Sequence, residues 1–300
     1  MKANYFDSTG KKIKQFDLPS QFSEEFRPDL IKRAVLAVQS NTRQAYGVAP
    51  RAGKRQHGKL SRRRRDYKSS YGIGISRVPR KILWHRGTQF GWVGAYAPHT
   101  VKGRVAHPPK AGKVWSEKIN IKERKKAIRS ALSATIDADI VKTRGHLFNE
   151  LPTVIDSKIE SLEKTHKVIE LFNNLGLQDE VQRLQYRKIR AGKGKSRGRK
   201  YKTKTGPLLV VSGTCALTNA AENIPGVKVC NVRKLNAELL APGTSAGRLT
   251  IYTDKALEIM EKEKLFLTNE KIAKEVKEEK KETKKTEVKP KKETTKKVKK

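Results

Sequence analysis

The sequence predicts an α/β fold, a mostly parallel sheet with helices on both faces, carrying a long irregular basic loop and ending in a disordered tail. Three observations lead there. After residue 150, short runs rich in β-branched residues (153–155, 208–211, 227–232 and 249–252) alternate with helical stretches, the mark of parallel strands joined by crossover helices. From Arg43 to Lys113, 71 residues hold 18 Lys or Arg, one acid (Asp66), ten Gly and five Pro, and neither a helical nor an alternating period survives. Residues 261–300 carry 16 Lys and nine Glu with few apolar side chains beyond Leu265, Phe266 and Leu267, too little to offset the entropy of ordering. The expected division is one globular α/β domain of residues 1–46 and 114–260, an inserted loop of residues 47–113, and a low-complexity tail of residues 261–300.

Tyr5-Phe6 and the run from Ile13 to Leu18, joined at Ser8-Thr9-Gly10, predict a short hairpin or two edge strands. Pro28 and Asp29 suit the first turn of a helix whose Leu30, Ile31, Ala34, Val35 and Val38 share one face and which fades near Tyr46-Gly47. Asn120 and Glu123 predict a capping box, each side chain satisfying an orphan amide, ahead of an apolar stripe of Ile128, Ala131, Leu132, Thr135 and Ile136. Ser157 and Glu160 predict a second box, opening a helix with Ile159, Leu162, Ile169 and Phe172 on one face that stops near Gly176. The core is expected to finish after Lys255.

A net charge of +38 and a pI near 10.3 exceed what solubility needs, and crowded like charges repel, so the working state must supply a polyanion. Nucleic acid is the first candidate. Cys215 and Cys230 are too few for a disulfide framework and wrongly spaced for a CxxC pair, which leaves two small buried thiols as the expectation. No apolar run approaches the ~18 residues of a membrane span. The opening residues lead into a strand-like segment rather than a signal peptide, so a soluble intracellular protein is expected.

The six histidines (His57, His85, His99, His107, His146, His166) lack the pairing that zinc requires, so no metal is expected. Asp137 and Asp139 point to different sides of a helix, and Ser212-Gly213-Thr214 has neither a neighbouring His nor the framing of a nucleophile elbow. Neither constellation makes an enzyme.

Within the long loop the cations Arg43, Arg51, Lys54, Arg55, Lys59, Arg62, Arg63, Arg64, Arg65, Lys68, Arg77, Arg80, Lys81, Arg86, Lys102, Arg104 and Lys110 are interleaved with Tyr46, Tyr67, Tyr71, Trp84, Phe90, Trp92 and Tyr96. Arginines supply bidentate phosphate contacts, aromatics offer stacking platforms for unpaired bases, and glycines admit close backbone approach, which together suit folded RNA with splayed bases. A second cluster, from Arg183 to Lys204, has eleven Lys or Arg and no acid. Its Gly194-Lys195-Ser196 invites a phosphate-loop reading, but Ile189 stands where a Walker motif wants glycine, and residues 184–190 read as a basic helix end rather than a strand. The expectation is a flexible arm gripping phosphates with Lys193, Lys195, Arg197, Arg199, Lys200 and Tyr201.

Several strings in this order resemble the L-four family of large-subunit ribosomal proteins in its archaeal and eukaryotic-type form. They are residues 42–47 (TRQAYG), 101–110 (VKGRVAHPPK), 129–139 (RSALSATIDAD), 189–201 (IRAGKGKSRGRKY), and 240–243 (LAPG) ahead of 247–250 (GRLT). The resemblance implies a structural protein with no cofactor and no small-molecule substrate, working in translation in the cytoplasm. It also implies a globular domain on the solvent side of the large subunit and a loop reaching inward through large-subunit ribosomal RNA among neighbouring large-subunit proteins. The loop tip, carried over by position, falls at Arg77, Arg80, Trp84, His85, Arg86, Phe90 and Trp92 and would line the nascent-peptide exit tunnel. The segment KILWH at residues 81–85 has no counterpart in the family pattern, and the tail beyond Lys262 lies outside it.

Two other classes accommodate the charge. An RNA-modifying enzyme with a doubly wound core would need a glycine-rich cofactor turn after the first strand of the second half, and residues 154–160 contain no glycine. A general nucleic-acid-compacting protein would bind any duplex, whereas a ribosomal protein prefers one structured RNA.

Overall fold

The computed structural model describes residues 1–55, 58, 60, 63–65, 69–87 and 89–268. The chain divides into two compact units, residues 41–116 and the remainder. In chain order the strands and helices are β1 (Lys2–Phe6), β2 (Lys12–Asp17), α1 (Pro28–Asn41), β3 (Arg80–Arg86), β4 (Gln89–Gly94), α2 (Ile121–Ser133), α3 (Ala138–Thr143) and β5 (Thr153–Ile155). There follow α4 (Thr165–Asn174), α5 (Gln178–Gln185), β6 (Lys188–Ile189), β7 (Tyr201–Lys202), β8 (Leu208–Val211), α6 (Leu217–Glu222), β9 (Lys228–Asn231), α7 (Ala237–Leu240), β10 (Thr250–Thr253) and α8 (Asp254–Lys262).

Six strands make one sheet in the order β2-β1-β5-β10-β8-β9, in which the β1–β2 hairpin is antiparallel and every other pairing is parallel. Every residue of β5, β8 and β10 is buried, because central strands covered on both faces read as continuous apolar runs. Register sorts them into two cores. Tyr5, Val154, Tyr252, Val210 and Cys230 stand side by side across five strands and join α1, α2, α7 and α8 in one cluster. Ile155, Ile251, Leu209 and Val211, the alternate positions, join α4, α5 and α6 in the other. The Tyr252 ring meets Phe22 edge-on at 5.3 Å, and its hydroxyl lies 3.0 Å from Thr135 Oγ1.

Local signals were executed unevenly. Asn120 caps α2 by accepting from the Lys122 amide, while the Glu123 carboxylate pairs with Arg33 at 3.1 Å. The expected helix from Ser157 to Gly176 is two elements: Asp156 caps a 3-10 turn over Ser157–Ser161, and α4 starts at Thr165. Glu160 has left the helix end because it does something stronger, accepting from the Ser212 amide and hydroxyl and from the Thr253 hydroxyl beyond the carboxyl ends of β8 and β10. Ser212 is thereby a structural donor.

The core does not finish after Lys255. Ala256, Leu257, Met260 and Leu267 are buried, and the carbonyls of Phe266 and Leu267 accept from Arg129 and Lys125, so the chain folds back past residue 261. Residues 269–300, where a disordered tail is expected, lie outside the described residues. The expected basic helix end at residues 184–190 is instead the end of α5 followed by β6, which pairs antiparallel with β7. Finally, the loop is not irregular throughout: β3 and β4 form a hairpin whose reversal includes Gly87 at φ +56°, a left-handed conformation that glycine tolerates.

One buried carboxylate holds several of these segments. Glu180, fully buried, accepts from the Arg183 guanidinium and the Leu147 amide, and its Oε1 lies 2.8 Å from His146 Nδ1. Burial pushes the carboxyl up, but the bonds to His146, Arg183 and Leu147 outweigh it and hold it at about 2, below its ordinary 4.5. A carboxylate depressed on folding contributes stability that is complete above pH 4.5 and lost as pH falls toward 2. Glu180→Gln is expected to cost about 2–4 kcal/mol at neutral pH, by leaving the half-buried Arg183 guanidinium without its charge partner. It should also flatten the acid limb of stability between pH 4.5 and 2, which denaturant titrations at pH 7, 4 and 3 would measure.

Candidate nucleic-acid interface

The larger unit carries a cationic arm on the chain between α5 and β8. Its stem is the β6–β7 ladder, extended by the Arg190 amide donating to the Lys200 carbonyl at 2.8 Å. Its tip is a 3-10 turn over Lys193–Arg197, bracketed by Gly192 at φ +76° and Gly198 at φ +77°. Those left-handed positions reverse the chain tightly enough to crowd Lys193, Lys195, Arg197, Arg199 and Lys200 onto one exposed tip. Among the described residues no carboxylate pairs with any of these five.

The roots of the arm are anchored by other cations. Arg183, bound to Glu180 on the near root, also donates to the Thr205 carbonyl on the far one at 2.8 Å. Just beyond, the fully buried Arg248 donates to the carbonyls of Gly206, Pro207, Gly226 and Leu239, and burial, with Arg144 second, pulls it down to about 10. A guanidinium satisfied by carbonyls keeps its charge, so it adds positive potential beneath the arm.

The smaller unit is built differently. Its described residues bury three small side chains, Ser70, Ala95 and Ala97, so no apolar core holds it. Backbone proximity and cation–aromatic contacts do so instead. The Val48 amide donates to the Pro109 carbonyl, and a Cβ on Gly47 would sit 2.4 Å from the Ala111 amide, so the two legs of the loop touch where glycine permits. Tyr46 stacks on Trp115 at 5.2 Å, with Arg43 and Lys113 at 4.6 and 4.2 Å from the same indole. Further out, Arg77 lies over Tyr71, Arg80 over Trp92 and Arg104 over Tyr96.

Of the residues expected from sequence to meet RNA, Arg43, Arg51, Lys54, Arg55, Arg63, Arg64, Arg65, Arg77, Arg86, Lys102 and Lys110 are exposed, and Arg80, Lys81 and Arg104 are half-buried. Lys59, Arg62 and Lys68 lie outside the described residues, as do His57 and Tyr67. The hairpin gathers Arg80, Trp84, His85, Arg86, Phe90 and Trp92, with Trp84 and His85 exposed and Phe90 within 6.2 Å of His85 and 6.0 Å of Trp92. Arg77 precedes it on an irregular segment.

Sequence reasoning passed over Trp115, although the basic–aromatic interleaving continues through Lys113-Val114-Trp115. It also missed the inward-turned Arg144 and Arg183. The Gly194-Lys195-Ser196 string lies on the arm's turn between antiparallel strands, not after a parallel strand as a phosphate loop requires. His146 is taken up by Glu180, both cysteines are free, and no group of metal-ligating side chains occurs among the described residues. No described helix is long and apolar enough to cross a membrane.

A model of the ribosomal protein L4/L1 family matches residues 16–263, a span that includes the arm, the loop and the sheet strands β5, β8, β9 and β10. The chain belongs to that family. It is 48% identical over 268 residues to the large ribosomal subunit protein uL4 of Nanoarchaeum equitans, covering 89% of this chain and all of the relative. The uL4 proteins of Archaeoglobus fulgidus and Methanococcoides burtonii are 43% and 47% identical, covering 87% and 86% of this chain and 98% and 97% of their own lengths. A ribosomal protein of the L4/L1 family is a structural protein and not an enzyme.

In this L4/L1 member the stack on Trp115 closes the base of the loop. Trp115→Ala is expected to speed trypsin cleavage within residues 41–116 by roughly fivefold, since each exposed cation–π contact is worth about 0.5–1 kcal/mol. Trp115→Phe should stay near the parent. Equal cleavage rates in all three proteins would remove the stack from the account.

Proposed function

We propose that the chain is a structural component of the large ribosomal subunit, in the cytoplasm, that binds large-subunit ribosomal RNA and supports subunit assembly beside neighbouring ribosomal proteins. The observation that carries this is the arm: five cations on a glycine-hinged turn, rooted in a buried network and lacking acidic partners among the described residues. Phosphates are the ligand that such a tip fits. Lys193, Lys195, Arg197, Arg199 and Lys200 contact the RNA backbone, with Tyr201 stacking beside Lys200, 5.4 Å from its ring. The loop cations from Arg43 to Lys110 form a second surface, with residues 47–113 as the RNA-penetrating insertion and residues 1–46 and 114–260 as the domain that carries it. The tip around the β3–β4 hairpin, with Arg77, Arg80, Trp84, His85, Arg86, Phe90 and Trp92, lines the nascent-peptide exit tunnel. Residues 261–268 pack back onto that domain through Leu267, and the Lys/Glu-rich tail sequence follows them.

Supporting this reading, a unit without an apolar core gains shape from a polyanion packed around it, and released counterions drive the association. Affinity should fall steeply with salt, each phosphate contact contributing a slope of roughly 0.7–0.9. The triple variant Lys193→Ala, Lys195→Ala, Arg197→Ala should lower the log–log salt slope by roughly 2–3 on a large-subunit RNA fragment. An unchanged slope would place the arm off the RNA.

Deleting residues 60–100 should leave the sheet folded but impair large-subunit assembly or widen the tunnel. Normal gradient sedimentation together with an unchanged constriction in a map of the subunits would refute the role given to the loop.

A further inference from the structure

Between the root of the arm and α3, within the larger unit, lies a cleft of about 880 Å³, inside the range of roughly 300–1,000 Å³ typical of small-molecule sites. One part of its lining is cationic: Arg144, Arg183, Lys188, Lys202 and Lys204, with Asp139 as the lining acid. Glu180, below it, is enclosed and already committed to Arg183, His146 and Leu147. With Arg183 offset by Glu180 and one further cation by Asp139, the lining keeps a surplus of three positive charges. Another part is apolar: Phe26, Ile140, Tyr186 and Ala246. Tyr186 is 66% exposed and Phe26 40% exposed, large aromatic surfaces turned to one cavity. Lys204 lies 5.4 Å from the Tyr186 ring, so charge and stacking surface are adjacent. Arg144 is held in place by donating to the carbonyls of Pro242, Ser245 and Ala246, which braces the opposite wall.

A ligand matching both parts must carry an anionic group and a flat ring on one short frame, and a nucleotide does. We propose that this cleft receives one unstacked nucleotide of the bound RNA, its base against Tyr186 and its phosphates toward Lys188, Lys202 and Lys204. The inference rests on the RNA-binding reading above. The source is RNA rather than a free nucleotide because Lys188 and Lys202 belong to β6 and β7, the stem of the arm itself. The arm and the cleft thus share these two lysines, so a backbone held by the stem lies beside the cleft.

The test uses the full-length protein and an rRNA fragment that it protects from nuclease in large subunits. Each unpaired nucleotide is replaced in turn by an abasic site, and affinities are measured for the parent, Tyr186→Ala and Tyr186→Phe. One abasic position should weaken the parent by about tenfold, in line with stacking energies per base. Tyr186→Ala should lose the same factor on intact RNA and nothing more on that abasic RNA, while Tyr186→Phe stays near the parent. Tyr186 is exposed, so its truncation leaves the core alone. If the parent binds the fragment but no abasic position is coupled to residue 186, the cleft holds no base and the inference falls while the RNA reading stands. If the parent does not bind the fragment, the RNA reading falls and takes the inference with it. Titration with the four free ribonucleoside monophosphates is the second arm: micromolar binding that the rRNA fragment does not displace would assign the cleft to a free nucleotide and overturn the proposal.

Discussion

Sixty-eight lysines and arginines are set against thirty acids in this chain, and two like charges about 5 Å apart near a protein surface repel by about 1–3 kcal/mol. The fold answers by separating its charges. Acids of the larger unit are drawn to places where each satisfies several donors: Glu180 under the arm, Glu160 beyond the ends of β8 and β10, and Glu24 against the buried Arg129. That concentration leaves the arm tip without acid partners among the described residues, so its electrostatics are completed from outside the chain.

The parallel sheet makes the separation mechanically possible. Two cores, on alternate strand positions, give the larger unit a platform built on apolar burial. Buried cations then tie the arm to that platform, Arg183 through Glu180 and Thr205, and Arg248 through four carbonyls. Such groups are demanding to bury and costly to disrupt, because a carbonyl or guanidinium stripped of its partner cannot recover water. The smaller unit lacks a comparable anchor. Its legs and hairpin are organised by glycine contacts and cation–aromatic pairs whose individual strength is modest.

These contrasts explain what was legible beforehand. The sheet strands β5, β8 and β10 were readable within two residues because double-sided burial demands β-branched apolar runs, and the edge strand β9 was readable from the valines of residues 227–232. The basic loop and arm were readable because composition alone records charge and glycine. The β3–β4 hairpin escaped notice since its apolar residues face no core, Leu83 and Trp84 being 63% and 58% exposed, and a bulge between Ile82 and Trp84 breaks the alternation. Ser157 and Glu160 have capping-box spacing, yet two strand ends distant in sequence compete for Glu160 and win it. Leu265 to Leu267 looked like the start of a charged tail because their partners, Gln21, Lys125 and Arg129, are far upstream.

Residue order alone therefore established a mixed α/β fold with a mostly parallel sheet, the segments bearing excess charge and the family, since each depends on composition or on patterns a few residues long. Three-dimensional folding settled which acids were consumed, which cations turned inward, and where Tyr186, Arg144 and Lys202 enclose a cleft. The reason is physical: a pairing energy depends on distance through space and on access to water, and neither can be read from separation along a chain.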